Sequence, residues 1–218
     1  MKQINSYELY QLLNQLYPVK ENWPGENIWE IMVSAILVQN TTWHNTTLSL
    51  NNIRQSVGFE ARLLAELSRE EWINLIRPSG FYSNKSQTLV NWFDWHAQWD
   101  FDIDRLKKLF NSKEELRHHL LTFKGIGHET ADVMLLYGFH EPVFIADAYA
   151  RKLYTGLRGQ NIARNYLTLK EFVEDTTHMT TLDWQLFHIQ ILNFGKEYLR
   201  GKGPHETELF NRYSIQLN

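Results

Sequence analysis

The chain has 218 residues, no cysteine and a formal net charge of −3. That length suits one large domain or two small ones, and the absence of cysteine excludes disulfides, thiol nucleophiles, zinc–thiolate sites and cysteine-ligated iron–sulfur clusters together. A hydrophobic content of 43% and an aromatic content of 14%, with eight tryptophans, exclude a disordered chain.

The start, Met1-Lys2-Gln3-Ile4-Asn5-Ser6, lacks the apolar run of a signal peptide. No later stretch reaches the roughly 18 apolar residues of a membrane span, so a soluble, cytoplasmic protein is expected. Ser6 then precedes Leu9, Leu12, Leu13 and Leu16 at helical spacing, and Pro18 ends the pattern. Ile28 to Val38 is apolar nearly all round and reads as a buried central helix. Ser68-Arg69-Glu70-Glu71, Ser112-Lys113-Glu114-Glu115 and Thr168-Leu169-Lys170-Glu171 each fit a capping box, in which a hydroxyl and a carboxylate satisfy the free donors of a helix start. Turns at Arg77-Pro78-Ser79-Gly80 and Gly201-Lys202-Gly203-Pro204 join or end helical segments, and alternating strand patterns are lacking. The fold class is therefore all-α.

Phe123-Lys124-Gly125-Ile126-Gly127-His128-Glu129-Thr130-Ala131-Asp132 holds two glycines about one apolar residue, followed by a helix start. Glycine reaches positive φ freely, and a helix start offers backbone N–H groups and a dipole that suit an anion such as a phosphate. Twenty residues after Gly127 stands Asp147, behind the loop Gly138-Phe139-His140-Glu141-Pro142 and the apolar run Val143-Phe144-Ile145. Pro142 cannot extend a preceding helix, which makes that loop the best domain boundary, and Asp147 is well placed to cap the next helix. The acidic net charge means that any basic surface is local, with Lys196, Arg200, Lys202, Lys124 and Lys85 as its candidates. His128-Glu129 lacks a second histidine four residues after the first, and His118-His119 fall on different sides of a helix, so no catalytic metal is expected.

The hairpin and Asp147, together with Ile36-Leu37-Val38-Gln39-Asn40-Thr41-Thr42 and Ile76-Arg77-Pro78-Ser79-Gly80-Phe81-Tyr82-Ser83-Asn84-Lys85 in the same order, resemble the helix-hairpin-helix DNA glycosylases that include endonuclease III. The resemblance implies two helical domains with an active-site cleft between them. One is a helical barrel over 27–141 that contains the hairpin. The other, from 1–26 and 142–218, carries the catalytic Asp147. It also implies damaged double-stranded DNA as partner, a monomer, and a monovalent cation at the hairpin carbonyls.

Two departures from the endonuclease III pattern refine this. Glu129 stands where bifunctional members carry the lysine whose amine attacks the sugar and leads to strand cleavage, which a carboxylate cannot do. Endonuclease III also has four cysteines near its C-terminus, and Gly195 to Tyr213 holds none. With Asn22-Trp23-Pro24 and Gln39-Asn40-Thr41-Thr42-Trp43, these features look like the bacterial 3-methyladenine DNA glycosylase III branch, which lacks the lyase step and the iron–sulfur cluster.

By that resemblance Trp23, Pro24 and Trp43 form the base pocket, and Gln39 and Phe81 enter the duplex. Lys124, Gly125, Ile126, Gly127, His128, Glu129 and Thr130 hold DNA phosphates, while Asp147 supports cleavage of the N-glycosidic bond. The expected activity is that of a monofunctional glycosylase for alkylated purines. The alternatives are a bifunctional glycosylase/lyase for oxidised pyrimidines and a non-catalytic DNA-binding module.

Overall fold

The computed structural model describes residues 1–19, 23–201 and 207–217. In chain order it contains β1 (Lys2–Ile4), α1 (Ser6–Leu16), α2 (Ile28–Leu37), α3 (Trp43–Ser56), α4 (Ala61–Ala65), α5 (Arg69–Ile76), a 3₁₀ turn (Arg77–Ser79), α6 (Tyr82–Ala97), α7 (Ile103–Lys107) and α8 (Lys113–Leu120). Then come α9 (His128–Val133), running on as a π-helical turn (Met134–Gly138), α10 (Ala148–Gly156), α11 (Tyr166–Thr176), α12 (Thr181–Tyr198), α13 (Glu208–Arg212) and β2 (Tyr213–Ile215). The architecture is all-α. One small exception is parallel pairing of β1 with β2, which places Lys2 opposite Tyr213 and Ile4 opposite Ile215. Three residues per strand are too few to leave an alternating pattern in the sequence.

The chain divides into two compact units, one of residues 24–141 and one of 1–23 with 142–218. In the first, α2 is the central helix, buried at Met32, Val33, Ala35, Ile36 and Leu37. It packs on α3, α6 and the π-helical turn. Trp72 and Trp92 are fully buried beside Phe93. In the second unit α12 packs between α1 and α10. Gly195 permits the close approach of α10, because a Cβ there would lie 2.4 Å from the Tyr149 ring. Two long-range hydrogen bonds, Tyr10 to the Asp183 carboxylate and Tyr154 to the Ser6 hydroxyl, fasten the N-terminal helix to that unit.

Of the three expected capping boxes, the one at Ser68 and Glu71 forms. Ser112 caps α8 with its hydroxyl, but Glu115 turns to the backbone and side-chain amides of Asn111 instead of closing the box. Thr168 caps nothing. Helix α11 starts at Tyr166, and Asn165 accepts the Thr168 amide at 2.9 Å, since an Asn three residues earlier offers a better acceptor. Boxes also close at Asn5 with Glu8 and at Thr180 with Asp183, so α1 is capped by Asn5 and Ser6 is its first residue. Asn22, Lys202, Gly203 and Pro204 lie outside the described residues.

His96 is wholly buried in the first unit among Trp29, Trp92 and Trp95, and neither of its ring nitrogens has a hydrogen-bond partner. Burial pushes its pKa down to about 3. In the second unit burial, helped by the nearby Lys196 charge, does the same to His188. An unfolded histidine titrates near 6.5, so below that pH the unfolded chain takes up protons that the folded chain refuses. The stability that these two histidines contribute is fully present above about pH 6.5 and is lost as the pH falls toward 3. Thermal melts between pH 8 and pH 5 should show a flat midpoint down to about 6.5 and a decline beneath it. His96→Phe should make that decline shallower.

Candidate functional site

The hairpin is built from α8 and α9. Leu116 and Leu120 bury one face of α8, and the chain turns through backbone bonds from Phe123 to Leu120 (3.2 Å) and from Ile126 to Phe123 (3.0 Å). Gly125 has φ +97, and a Cβ there would lie 2.3 Å from the Thr88 hydroxyl. Both facts demand glycine. Thr88 donates to the Lys124 carbonyl at 2.9 Å, and Ile126 is buried as the anchor of the turn. Gly127 behaves differently, with φ −94 and open space around it. Its usefulness lies in the missing side chain, because α9 begins with no capping group over its first turn. His128 and Glu129 are exposed in that turn, and Thr130 is buried beneath it.

Asp132 is fully buried on α9 and is met by Arg117 from α8. Arg117 Nε donates to one carboxylate oxygen at 2.7 Å and Nη2 to the other at 3.0 Å. The same Nη2 lies 3.2 Å from His128 Nδ1. A bidentate pair of this kind fixes orientation as well as distance, so it sets how the two arms of the hairpin meet. Sequence reasoning missed Arg117, because two charges fifteen residues apart carry no local signal.

Gln39 and Phe81 stand on two loops of the same unit as the hairpin. The Gln39 side-chain amide donates to the Gly125 carbonyl at 2.9 Å, joining the turn after α2 to the hairpin. Its neighbour Asn40 has φ +53. Phe81 is 64% exposed at φ +47, so it is no part of the core. Left-handed backbone at a bulky residue costs of order 1 kcal/mol or more and concentrates at working sites.

Lys85 does not join a basic surface. It is buried, donates to the carbonyls of Leu37 and Ser79 at 2.8 Å each, and has its pKa pushed down by burial to about 8. Two end-of-helix carbonyls needed donors, and this amine reaches both. Trp43, the first residue of α3 behind the Thr42 cap, is 38% exposed, and Pro24 is exposed.

Asp147 and Trp23 belong to the other unit. The run Val143 to Ala146 is buried throughout, and the Phe144 amide donates to Glu174 at 2.6 Å. Asp147 follows as the N-cap of α10, only 7% exposed, with Oδ1 accepting the Ala150 amide at 2.7 Å. Trp23 stacks on His188, with ring centres 5.9 Å apart and planes 8° from parallel. Nothing in the sequence pointed to His188. Among the described residues no group of three or more His, Asp or Glu could hold a metal ion, and no helix is long and apolar enough to cross a membrane.

Residues 33–173, which include the Gln39 and Phe81 loops, the hairpin and Asp147, match the family model of the HhH-GPD superfamily of base excision DNA repair proteins. The chain belongs to that superfamily. Its helix-hairpin-helix is the α8–α9 hairpin described above. The HhH-GPD chain is 30% identical over 196 residues, 90% of its own length and 89% of the other's, to MJ1434 of Methanocaldococcus jannaschii, a candidate DNA repair glycosylase.

Among solved structures it is similar to the H. pylori 3-methyladenine DNA glycosylase MagIII bound to 1,N6-ethenoadenine. The TM-score is 0.73 at 26% identity, over 89% of this chain and 98% of that one. A trapped endonuclease III–DNA covalent intermediate shares the fold, with a TM-score of 0.70 at 14% identity over 93% and 91% of the two chains. The protein is thus a DNA glycosylase of this superfamily, with a fold like that of endonuclease III. Having no cysteine, it has no cysteine-ligated iron–sulfur cluster.

Arg117→Ala would leave the Asp132 carboxylate buried without its bidentate partner. A loss of about 3 to 5 kcal/mol in chemical denaturation is expected, against well under 1 kcal/mol for removal of an exposed pair such as Arg212 with Glu208.

Proposed function

We propose that this protein is a monofunctional glycosylase that flips alkylated purines such as 3-methyladenine out of duplex DNA and hydrolyses their N-glycosidic bond, leaving an abasic site. Two observations carry the reading: Asp147 is a buried carboxylate, and the residue at the first turn of the hairpin's second helix is Glu129. A lyase step needs an uncommitted amine close to the sugar. Glu129 supplies none, and Lys85, whose lowered pKa would suit a nucleophile, is held by two carbonyls. The likeness to a 3-methyladenine glycosylase supports the substrate class.

The proposed chemistry follows from the leaving group. A base buried in the stack must be rotated out at a cost of a few kcal/mol, and Gln39 with Phe81 would fill the gap, one by hydrogen bonding and one by stacking. Phosphates beyond the lesion would rest on Lys124 to Thr130, chiefly on backbone N–H groups, which read no sequence. A ring-methylated purine carries positive charge, so it departs without a general acid. Trp23 and Trp43, with Pro24, would favour that cation through its attraction to their ring faces, worth roughly 0.5 to 2 kcal/mol. Charge then develops on the sugar, and the Asp147 carboxylate would stabilise it and orient the attacking water.

Asparagine caps a helix about as well as aspartate, so Asp147→Asn should leave α10 intact. It should lower base release by about 10²- to 10³-fold while affinity for an abasic-site analogue persists. Duplexes bearing 3-methyladenine, 7-methylguanine, uracil or thymine glycol provide the substrate test, with free base and strand nicks scored separately. Methylated purines should be released, and nicks should appear only after alkali. Thymine glycol release with spontaneous nicking, trapped by borohydride, would falsify the proposal. Trp43→Ala should reduce release of a cationic base more than of a neutral one, by roughly tenfold in the ratio.

A further inference from the structure

Lys85 violates a local rule. It is the fourth residue of α6, where the positive end of the helix dipole disfavours a cation. It is also a buried ammonium, whose desolvation appears as a pKa lowered to about 8. Conflicts of this kind are expected where a residue has a further task. Its two acceptors identify that task. Leu37 is the last residue of α2 and Ser79 the last of the 3₁₀ turn, so both carbonyls lie where a helix leaves acceptors unpaired. Gln39 follows Leu37 by two residues, and Phe81 follows Ser79 by two.

We propose that Lys85 is a positioning residue for base extrusion: its ammonium clamps the end of α2 to the end of the Arg77–Ser79 turn and thereby fixes the spacing of the Gln39 amide and the Phe81 ring. This rests on the reading of those two residues as the ones that enter the duplex. One turn further along α6, Thr88 donates to the Lys124 carbonyl of the hairpin, and Gln39 itself donates to Gly125. A single face of α6 therefore holds both loops and the hairpin in register. Ser79 is held from a second side, where its amide donates to the Ser49 hydroxyl at 3.1 Å. The clamp therefore acts on a backbone that has little freedom to rearrange.

A mutant cycle tests this with the full chain. Single-turnover release of 7-methylguanine from a duplex is measured for wild type, Lys85→Met, Gln39→Ala/Phe81→Ala and the triple variant, each below its own melting midpoint. Misplacing reacting or positioning groups by about an ångström costs up to about a hundredfold, and Lys85→Met should slow release by at least about tenfold in the wild-type background. It should add no further slowing once Gln39 and Phe81 are alanine. Equal slowing in both backgrounds, which a purely structural role predicts, overturns the inference, as does no slowing in either.

Lys85→Gln, which keeps two donors on a shorter arm, replaces Lys85→Met if the latter does not fold, with the same two overturning outcomes. If wild type releases none of the methylated bases, the substrate reading fails, and the cycle is run on the fluorescence of 2-aminopurine placed beside an abasic-site analogue. There a rise slowed by Lys85→Met only while Gln39 and Phe81 are present supports the clamp. Any other pattern, including no rise with wild type, overturns it.

Discussion

A carboxylate with no solvent exposure must be answered by charge, and the answer to Asp132 comes from Arg117 across the hairpin. The two bonds of that pair fix the meeting of α8 and α9 more firmly than apolar packing could, because a planar fork tolerates one orientation. The rest of the interface in this unit is referred to that fixed turn. Thr88 holds Lys124, Gln39 holds Gly125, and Lys85 on the helix of Thr88 holds the loop ends beside Gln39 and Phe81. The polar ties run through backbone carbonyls rather than side-chain pairs. They therefore specify where the chain runs and leave surface chemistry free to change.

Much of this arrangement was legible in the sequence where it is local. The central helix α2, the stop after Leu16 and the cap at Ser68 follow from periodicity and from hydroxyl–carboxylate spacing, and the helical class follows from their recurrence. Asp147 as a helix cap was also readable, since Asp after an apolar run is a common N-cap. Competition between neighbouring caps was not readable. Thr168 lost to Asn165, and Glu115 served Asn111 in place of Ser112, because both outcomes depend on where the preceding loop delivers the chain. The long-range ties were invisible for the same reason. Nothing about Lys85 distinguishes a solvated lysine from a buried clamp until Leu37 and Ser79 are brought to it.

Aromatic residues illustrate the limit most plainly. Trp72, Trp92 and Trp43 are equivalent as letters, yet the first two fill the core and the third is 38% exposed at a helix start. Phe81 is more exposed still and sits in a backbone conformation that bulky residues avoid. Exposure and backbone conformation distinguish Phe81 from the packed aromatics, and both are properties of the folded chain. Family resemblance reached Trp43 and Phe81 only because it carries the folded context of other proteins within the motif.

Asp147 serves as the cap of α10 and, on the proposed reading, as the catalyst. An aspartate codon becomes an asparagine codon by one base change, and asparagine caps equally well. Were Asp147 the catalyst, the genetic distance from a repair enzyme to a stable but inert relative would be a single transition, of the kind that deamination of cytosine on the complementary strand produces. Cellular quality control, which senses unfolding, would have nothing to detect. Such a protein would accumulate at normal levels and occupy lesions without removing them, which makes this codon a place where a lesion-processing gene can turn into a lesion-shielding one.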